Sequence, residues 1–356
     1  MISLYIPDVG DGLAMGIRIV SGKRIQVDCG SQQHRERASR SLCDIRPDIF
    51  MLSHFHSDHY NGISNYISHC LPHQRIKKVY IPRIPDFTDP SLRREFALAL
   101  LATNLRVLGR GTGSMEADFL NLISSINECQ FSYRFLSIGD KVSVDNSKFD
   151  VLWPPKHIKA DNVVKTVRDA VDDFNSALED EETSHIYNRL DEMRILDRYL
   201  SEEEGIMESK ETEHFERNNP EIPEVVNRAN KSLRNADNRL SLTFREDNRL
   251  LFLGDLEKSE IRQVINKLDS QGMTDYFSLV TPHHGTHWHD SMSKLKCHNA
   301  FSSIGSRLFR YYCTEYKKIS NRSWLTYVNG ALVHPIYRIS SHSRDLRRLP
   351  HYPWRW

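Results

Sequence analysis

Cysteine is sparse in this chain, and no two cysteines form a C-x-x-C pair. The six (Cys29, Cys43, Cys70, Cys129, Cys297 and Cys313) stand at long, irregular intervals. That excludes a disulfide framework and a cysteine zinc site, and it points to a reducing compartment, the cytoplasm. The N-terminal stretch "MISLYIPDVGDG" lacks a basic segment followed by a long apolar run, so no secretory signal is expected. No stretch approaches the roughly 18 uninterrupted apolar residues of a spanning helix, so no membrane is expected as a partner. Excess charge of one sign is also missing: the net charge is +1, with 39% hydrophobic residues. These values describe a soluble globular protein of one large or two ordinary domains. No internal repeat marks a solenoid.

The even total hides an uneven distribution. Residues 169–224 are rich in Asp and Glu, whereas Arg307 to Trp356 is rich in Arg and Lys, opposed only by Glu315 and Asp345. Strand patterns dominate the first sixty residues: "ISLYI" at 2–6, alternating "MGIRIV" at 15–20 and "RIQVDCG" at 24–30. "DIFMLS" at 48–53 is nearly all apolar, as in a strand buried on both faces. A helix is expected from Asn61, with Ile63, Tyr66, Ile67 and Cys70 on one face, and another over "PSLRREFALALLATN". Val164, Val167, Val171, Phe174 and Leu178 form a helical stripe, continued after a break by Ile186, Leu190, Met193, Leu196 and Leu200. Residues about 160–232 therefore read as an acidic helical insertion. Strand logic resumes in "RLSLTFREDNRLLFLGD", with a turn at Glu246–Asn248, and "YFSLVTPHHGTHWHD" is a strand running into histidines. Strands and helices on either side of an insertion imply an α/β layered fold built from two halves.

Chemistry concentrates where strands end. "SHFHSDHYNG" places His54, His56, Asp58 and His59 directly after a buried strand. Residues i and i+2 of an extended segment share a side, so His54 and His56 suit one metal ion, and Asp58 and His59 suit a second. Imidazole and carboxylate are ligands for Zn²⁺, Mn²⁺ or Fe. Two more clusters follow strands: Asp255 after "LLFLG", and His283 with His284 in "PHHGT", where Gly285 lets the backbone pass close to a site.

H-x-H-x-D-H after a strand resembles the signature of the metallo-β-lactamase-fold hydrolases. "IPDVGDGLAMGIRIVSGKRIQVDCGS", "DNRLSLTFREDNRLLFLGDLEKSE" and "LVTPHHGT" resemble segments of one branch, the hydrolase domain of ComEC-type competence proteins. The resemblance covers about residues 4–62 and 236–305 and implies one domain over 1–356. That domain would be an αββα sandwich carrying the helical insertion, with a basic aromatic C-terminal tail at about 307–356. It implies two divalent ions, Zn or Mn. His54 and His56 would hold the first, and Asp58 and His59 the second. Asp255 would bridge them, and His283 or His284 would complete the second site. Asp28 would orient a ligand histidine from behind. Where many superfamily members supply another histidine, this chain offers Asn238 and Ser241, as the branch does. The ion on His54 and His56 is therefore expected to be the looser one, with His287 and His289 as candidate substitutes. Asp11 matches the acid of the first motif in shuffled order, and His334-Pro335 is a distant counterpart of a later G-H-P element.

The resemblance implies a metal-activated water attacking a phosphodiester, with nucleic acid or nucleotide as substrate. Asp58 is expected to orient the water, and His284 or His287 to act as acid. The tail's mixture of Arg, Lys, Tyr and Trp suits phosphate contacts and base stacking. It also suits docking of a partner protein, as does the insertion, which otherwise packs on the core or covers the site. The alternatives are hydrolysis of a small ester, lactone or thioester, and a metal-bound scaffold or sensor acting through a partner.

Overall fold

Strand Ile2–Ile6 alternates buried and half-buried residues, while Ile49–Met51 is buried throughout. The first pattern suits a strand near a sheet edge, the second an interior strand covered on both faces. The computed structural model describes residues 2–69, 74–104, 119–179, 195–201, 204–208 and 224–338. Among these residues two large sheets form. The eight-stranded sheet runs, in spatial order, Gly205–Met207, Phe131–Leu136, Lys78–Pro82, Ile49–Met51, Arg24–Cys29, Ala14–Arg18, Ile2–Ile6 and Leu332–Ile336. The seven-stranded sheet runs Ser320–Leu325, Lys296–Ser302, Asp275–Val280, Leu250–Phe252, Thr243–Glu246, Ser147–Trp153 and Lys141–Val144.

The sheets face one another across a shared core. Met15, Val27 and Met51 from the first sheet cluster with Val151, Phe244, Phe252 and Phe277 from the second. Each such side chain contributes about 1.5–3 kcal/mol by leaving water. Helices cover both outer faces. Leu42, Ile63, Tyr66 and Phe96 pack with Phe50, Val79 and Ile81 on one side. Ile261, Val264, Ile265 and Leu268 of helix Lys258–Ser270 pack with Leu251 and Leu279 on the other. The fold is thus α/β, an αββα sandwich.

The expected insertion contains helix Asp161–Leu178, which buries Val163, Val167, Ala170, Val171, Phe174 and Ala177. Val164 and Leu178 of the sequence stripe are only partly buried beside it. Helix Glu224–Asn238 packs against it through Val226, Ala229 and Leu233 and runs past the expected boundary at 232. Of the second stripe, Leu196 is buried in helix Ile195–Leu200, while Ile186, Leu190 and Met193 lie outside the described residues, as does Cys70. The basic C-terminal region contributes folded elements as far as Ile336: Ser320–Leu325 edges the second sheet, and Leu332–Ile336 pairs antiparallel with Ile2–Ile6. Residues 339–356 lie outside the described residues. Among the described residues no helix is long and apolar enough to cross a membrane.

Parallel pairing decides where chemistry gathers. Arg24–Cys29, Ile49–Met51 and Lys78–Pro82 run parallel in one sheet, and Leu250–Phe252, Asp275–Val280 and Lys296–Ser302 in the other. The loops after their C-terminal ends meet: Leu242 N–H donates to Ser53 O at 2.6 Å, joining the two halves behind the histidines.

Candidate metal centre

Strand Ile49–Met51 ends by pairing Leu52 N with Tyr80 O, and the chain then turns through Ser53–Tyr60. His56 is extended, and one short 3₁₀ turn, Ser57–His59, follows. The His54 and His56 rings lie 4.4 Å apart between centroids, and His54 and His59 lie 3.9 Å apart. This loop sits directly on Gly30: a Cβ there would fall 2.1 Å from the Asp58 carbonyl oxygen.

Hydrogen bonds assign the ring nitrogens. Ser53 Oγ has one hydrogen, and a carboxylate only accepts. The Ser53 hydroxyl lies 2.6 Å from Asp28 Oδ2 and donates to it. Its oxygen, 2.9 Å from His54 Nδ1, then accepts from that ring. His59 Nδ1 donates to the same Asp28 oxygen at 2.7 Å. His284 Nδ1 lies 2.9 Å from the carbonyl of Ser303, which can only accept. In all three rings Nδ1 carries a proton, so Nε2 is the atom left for a metal. Asp28 is held for this task from a left-handed backbone, φ 57°, and its other oxygen accepts Ser53 N–H at 2.7 Å.

The second half supplies the counterpart. Gly254, at φ 55°, turns the chain so that Asp255 follows strand Leu250–Phe252 directly; a Cβ on Gly254 would press on Leu242 O and Ser241. His283 and His284 both adopt left-handed backbone, φ 47° and 58°. Asp255 Oδ2 lies 3.5 Å from His59 Nε2 and 3.5 Å from His284 Nε2. Two donor groups share His59: His54, His59 and Asp255, and beside them Asp58, His59 and His284, the donor atoms of each lying within 4.8 Å of one another. The structure thus brings His284, not His283, to Asp58 and His59.

A third group was not legible in the sequence: His54, His56 and Asp237. Asp237, next to last in helix Glu224–Asn238, is buried. Its Oδ2 accepts Phe55 N–H at 2.8 Å and lies 3.7 Å from His56 Nε2. The signal available was its place just before Asn238, in the segment where a third ligand was sought. Asn238 donates to Glu257 at 3.3 Å, and Ser241 Oγ is buried without a hydrogen-bond partner among the described residues.

The remaining sequence candidates lie apart from these groups. His287 sits with His283 and Glu257. His289 Nδ1 accepts Ser291 N–H and caps a 3₁₀ turn. His334 packs on Trp324 and Phe301. Asp11 is buried and accepts from Gly305 N at 2.9 Å, with Arg307 Nε 3.3 Å from its other oxygen. Arg307 also reaches Gln32, whose amide donates to Asp58 at 2.7 Å.

Electrostatics fit a cation. Burial pushes Asp237 up to about 8. Burial, then His59 and His56, hold His54 well below the usual histidine value; burial, then Arg234, does the same to His56. Burial works against charge on His59 and Asp255 too, but there it is outweighed. The carboxylates of Asp255 and Asp28 raise His59 well above its usual value, and His284, His59 and His283 hold Asp255 well below its own. Buried carboxylates need compensating charge. His54 Nε2, His56 Nε2, His59 Nε2, Asp58 Oδ1 and Asp237 Oδ1 are buried with no hydrogen-bond partner among the described residues. Buried polar atoms are otherwise nearly always paired. Imidazole nitrogens and carboxylate oxygens converging in this way fit divalent ions such as Zn²⁺ or Mn²⁺.

No family model matches the chain, and no curated protein matches it. Three of the solved structures similar to it are a diphosphatase, a protein named for the metallo-β-lactamase fold and a metallo-β-lactamase. A diphosphatase of the PhnP family is 11% identical, covering 94% of this chain and 98% of that one, with a TM-score of 0.40. The metallo-β-lactamase-fold protein YhfI from Bacillus subtilis is 8% identical, covering 94% and 99%, with a TM-score of 0.39. MEM-A1, a subclass B3 metallo-β-lactamase from a soil metagenome library, is 15% identical over 42% of this chain and 48% of that one, with a TM-score of 0.25. Likeness of this degree carries no information on activity or substrate.

Proposed function

We propose that the protein is a metal-dependent hydrolase of phosphodiesters, acting on nucleic acid or nucleotides in the cytoplasm. In this reading His54, His56 and Asp237 would hold one divalent ion and Asp58, His59 and His284 the other, with the Asp255 carboxylate, next to His59 and His284, available as a further ligand. Bound there, the ions supply hydroxide at neutral pH and neutralise charge developing on a phosphoryl oxygen. Asp28 and Ser53 fix the rings of His59 and His54, and Gln32 fixes Asp58. His284 serves as a ligand rather than an acid, because its Nδ1 proton is committed to the Ser303 carbonyl.

One observation carries the choice of substrate: cations and exposed aromatics flank the site. Arg307, bonded to the Gln32 that holds Asp58, opens a stretch in which Phe309 and Tyr311 are 40% and 56% exposed. Arg310 stacks over Tyr311, and the Phe309 ring lies 5.1 Å from that of Tyr327. The charge of Arg234, exposed on helix Glu224–Asn238, reaches His56 and Asp58. Arginine beside stacking surfaces is how single-stranded nucleic acid is held. The sequence resemblance to ComEC-type hydrolase domains supports the same substrate.

The test is an Mn²⁺- and Zn²⁺-dependent assay on single- and double-stranded DNA and RNA, with Asp58→Ala as control. Cleavage by the wild type and none by the variant is expected. Equal cleavage by both would mean contamination and sink the nuclease reading. Turnover of thioesters or lactones alone would move the assignment to small-molecule hydrolysis. Function surviving His54→Ala would leave a scaffold that acts through a protein partner.

A further inference from the structure

A second set of metal donors gathers beside the groups described above. Glu257 caps the start of helix Lys258–Ser270, and His283 and His287 come from the turn after strand Asp275–Val280. One donor atom from each lies within 4.8 Å of the other two. His283 Nδ1 is 4.0 Å from Glu257 Oε1, and the His287 ring comes within 3.6 Å of Glu257 Oε2 through Nδ1, whose proton goes to the Leu256 carbonyl and leaves Nε2 as the atom for a metal. The two imidazole rings are 3.9 Å apart between centroids.

Two features separate this cluster from a surface ion pair. His283 Nδ1 is buried and has no hydrogen-bond partner among the described residues. The other two members are held in place from behind: the Asn238 amide donates to Glu257 Oε1 at 3.3 Å, and His287 Nδ1 lies 3.3 Å from the Leu256 carbonyl. Groups that orient ligands in this way are a regular part of metal sites. Two imidazoles and one carboxylate are the ligands of an open zinc site, which keeps a fourth position for water or substrate. The side chains of His283, Glu257 and His287 are 25%, 24% and 20% exposed, so that position has access to solvent.

We propose that Glu257, His283 and His287 form a third divalent-cation site, of zinc-binding character, beside the two-ion centre. His283 is then neither a spare ligand for the Asp58–His59 ion nor idle, and His287 binds metal rather than acting as a free acid. The His283 ring stands 6.0 Å from that of His284, so the proposed site adjoins the two-ion centre.

The test is a zinc count on the full-length protein. Chelator-stripped protein is reloaded with Zn²⁺, desalted and measured by plasma mass spectrometry. Wild type is expected to retain one equivalent more than either His287→Ala or Glu257→Gln. His54→Ala is expected to lose zinc from the two-ion centre while still losing a further equivalent when His287→Ala is added. Equal zinc in wild type and in both folded single variants, with folding checked by circular dichroism, overturns the proposal. If a variant fails to fold, anomalous scattering at the zinc edge on wild-type crystals decides. A peak among the three side chains supports the site, and none there overturns it.

Discussion

Asp237 Oδ2 lies 3.7 Å from His56 Nε2 while accepting the N–H of Phe55, the residue between His54 and His56. One carboxylate therefore both braces the histidine loop and stands among its metal donors. An ion held by His54 and His56, as the resemblance implies, would find Asp237 beside it as a third donor. Asp237→Asn keeps an oxygen for Phe55 N–H and removes the charge. It is expected to leave the melting temperature of metal-free protein unchanged or higher, because a buried ionisable group is gone. It is also expected to weaken binding of one metal equivalent at least roughly tenfold. Metal titration followed by calorimetry checks both.

The legible and illegible parts of the site differ physically. H-x-H-x-D-H, Asp255 and the histidine pair follow parallel strands, and a strand end places a side chain by local geometry alone. Asp237 ends a helix whose approach to Phe55 depends on how that helix packs across the first sheet's outer layer. No periodicity encodes that contact, which spans 182 residues. The choice between His283 and His284 was illegible for a related reason. Two successive left-handed residues, at φ 47° and 58°, send the two rings to different partners, and neighbouring letters carry no sign of it. The buried stripe of helix Asp161–Leu178 was legible because 3.6-residue periodicity survives any tertiary arrangement.

Asp28 is the orienting group most open to substitution. Asn tolerates its left-handed backbone, so Asp28→Asn preserves the turn while removing one of two charged acceptors. His59 Nδ1–H and the Ser53 hydroxyl both use Asp28 Oδ2. The expected result is a 10- to 100-fold loss of metal affinity with the fold intact. Asp28→Ala adds backbone strain of roughly 1–2 kcal/mol. Metal affinity and denaturant midpoints of the two variants separate these effects.

Gly30 admits no side chain without moving Asp58, since the added carbon would fall 2.1 Å from its carbonyl oxygen and 2.5 Å from His59 N. Both neighbours are backbone, so neither can rotate away. Gly30→Ala is expected to destabilise the protein by about 1–3 kcal/mol, the usual range for overpacking. Any soluble fraction should have lost the ion at Asp58 and His59. Thermal melts with and without added Zn²⁺ check this: wild type should gain stability from metal, and the variant should gain less.

Arg234 separates substrate binding from metal binding. It is exposed, and its charge is felt at His56 and Asp58, but it donates no metal ligand. If the substrate is anionic, Arg234→Ala should raise KM for a phosphodiester dye ester by roughly tenfold, as expected for loss of ~1.4 kcal/mol of charge interaction. Metal content should be unchanged, and Arg234→Lys should recover part of the loss. A neutral lactone or ester lacks the charge that Arg234 would meet, so its KM should not move. Raised ionic strength should shrink the difference between wild type and Arg234→Ala, because an exposed charge is screened within about 8–10 Å at ordinary salt. Steady-state kinetics on one anionic and one neutral substrate, at two salt concentrations, check the prediction. Equal KM changes on both substrates would show that Arg234 acts through the fold of its helix and not on the substrate's charge.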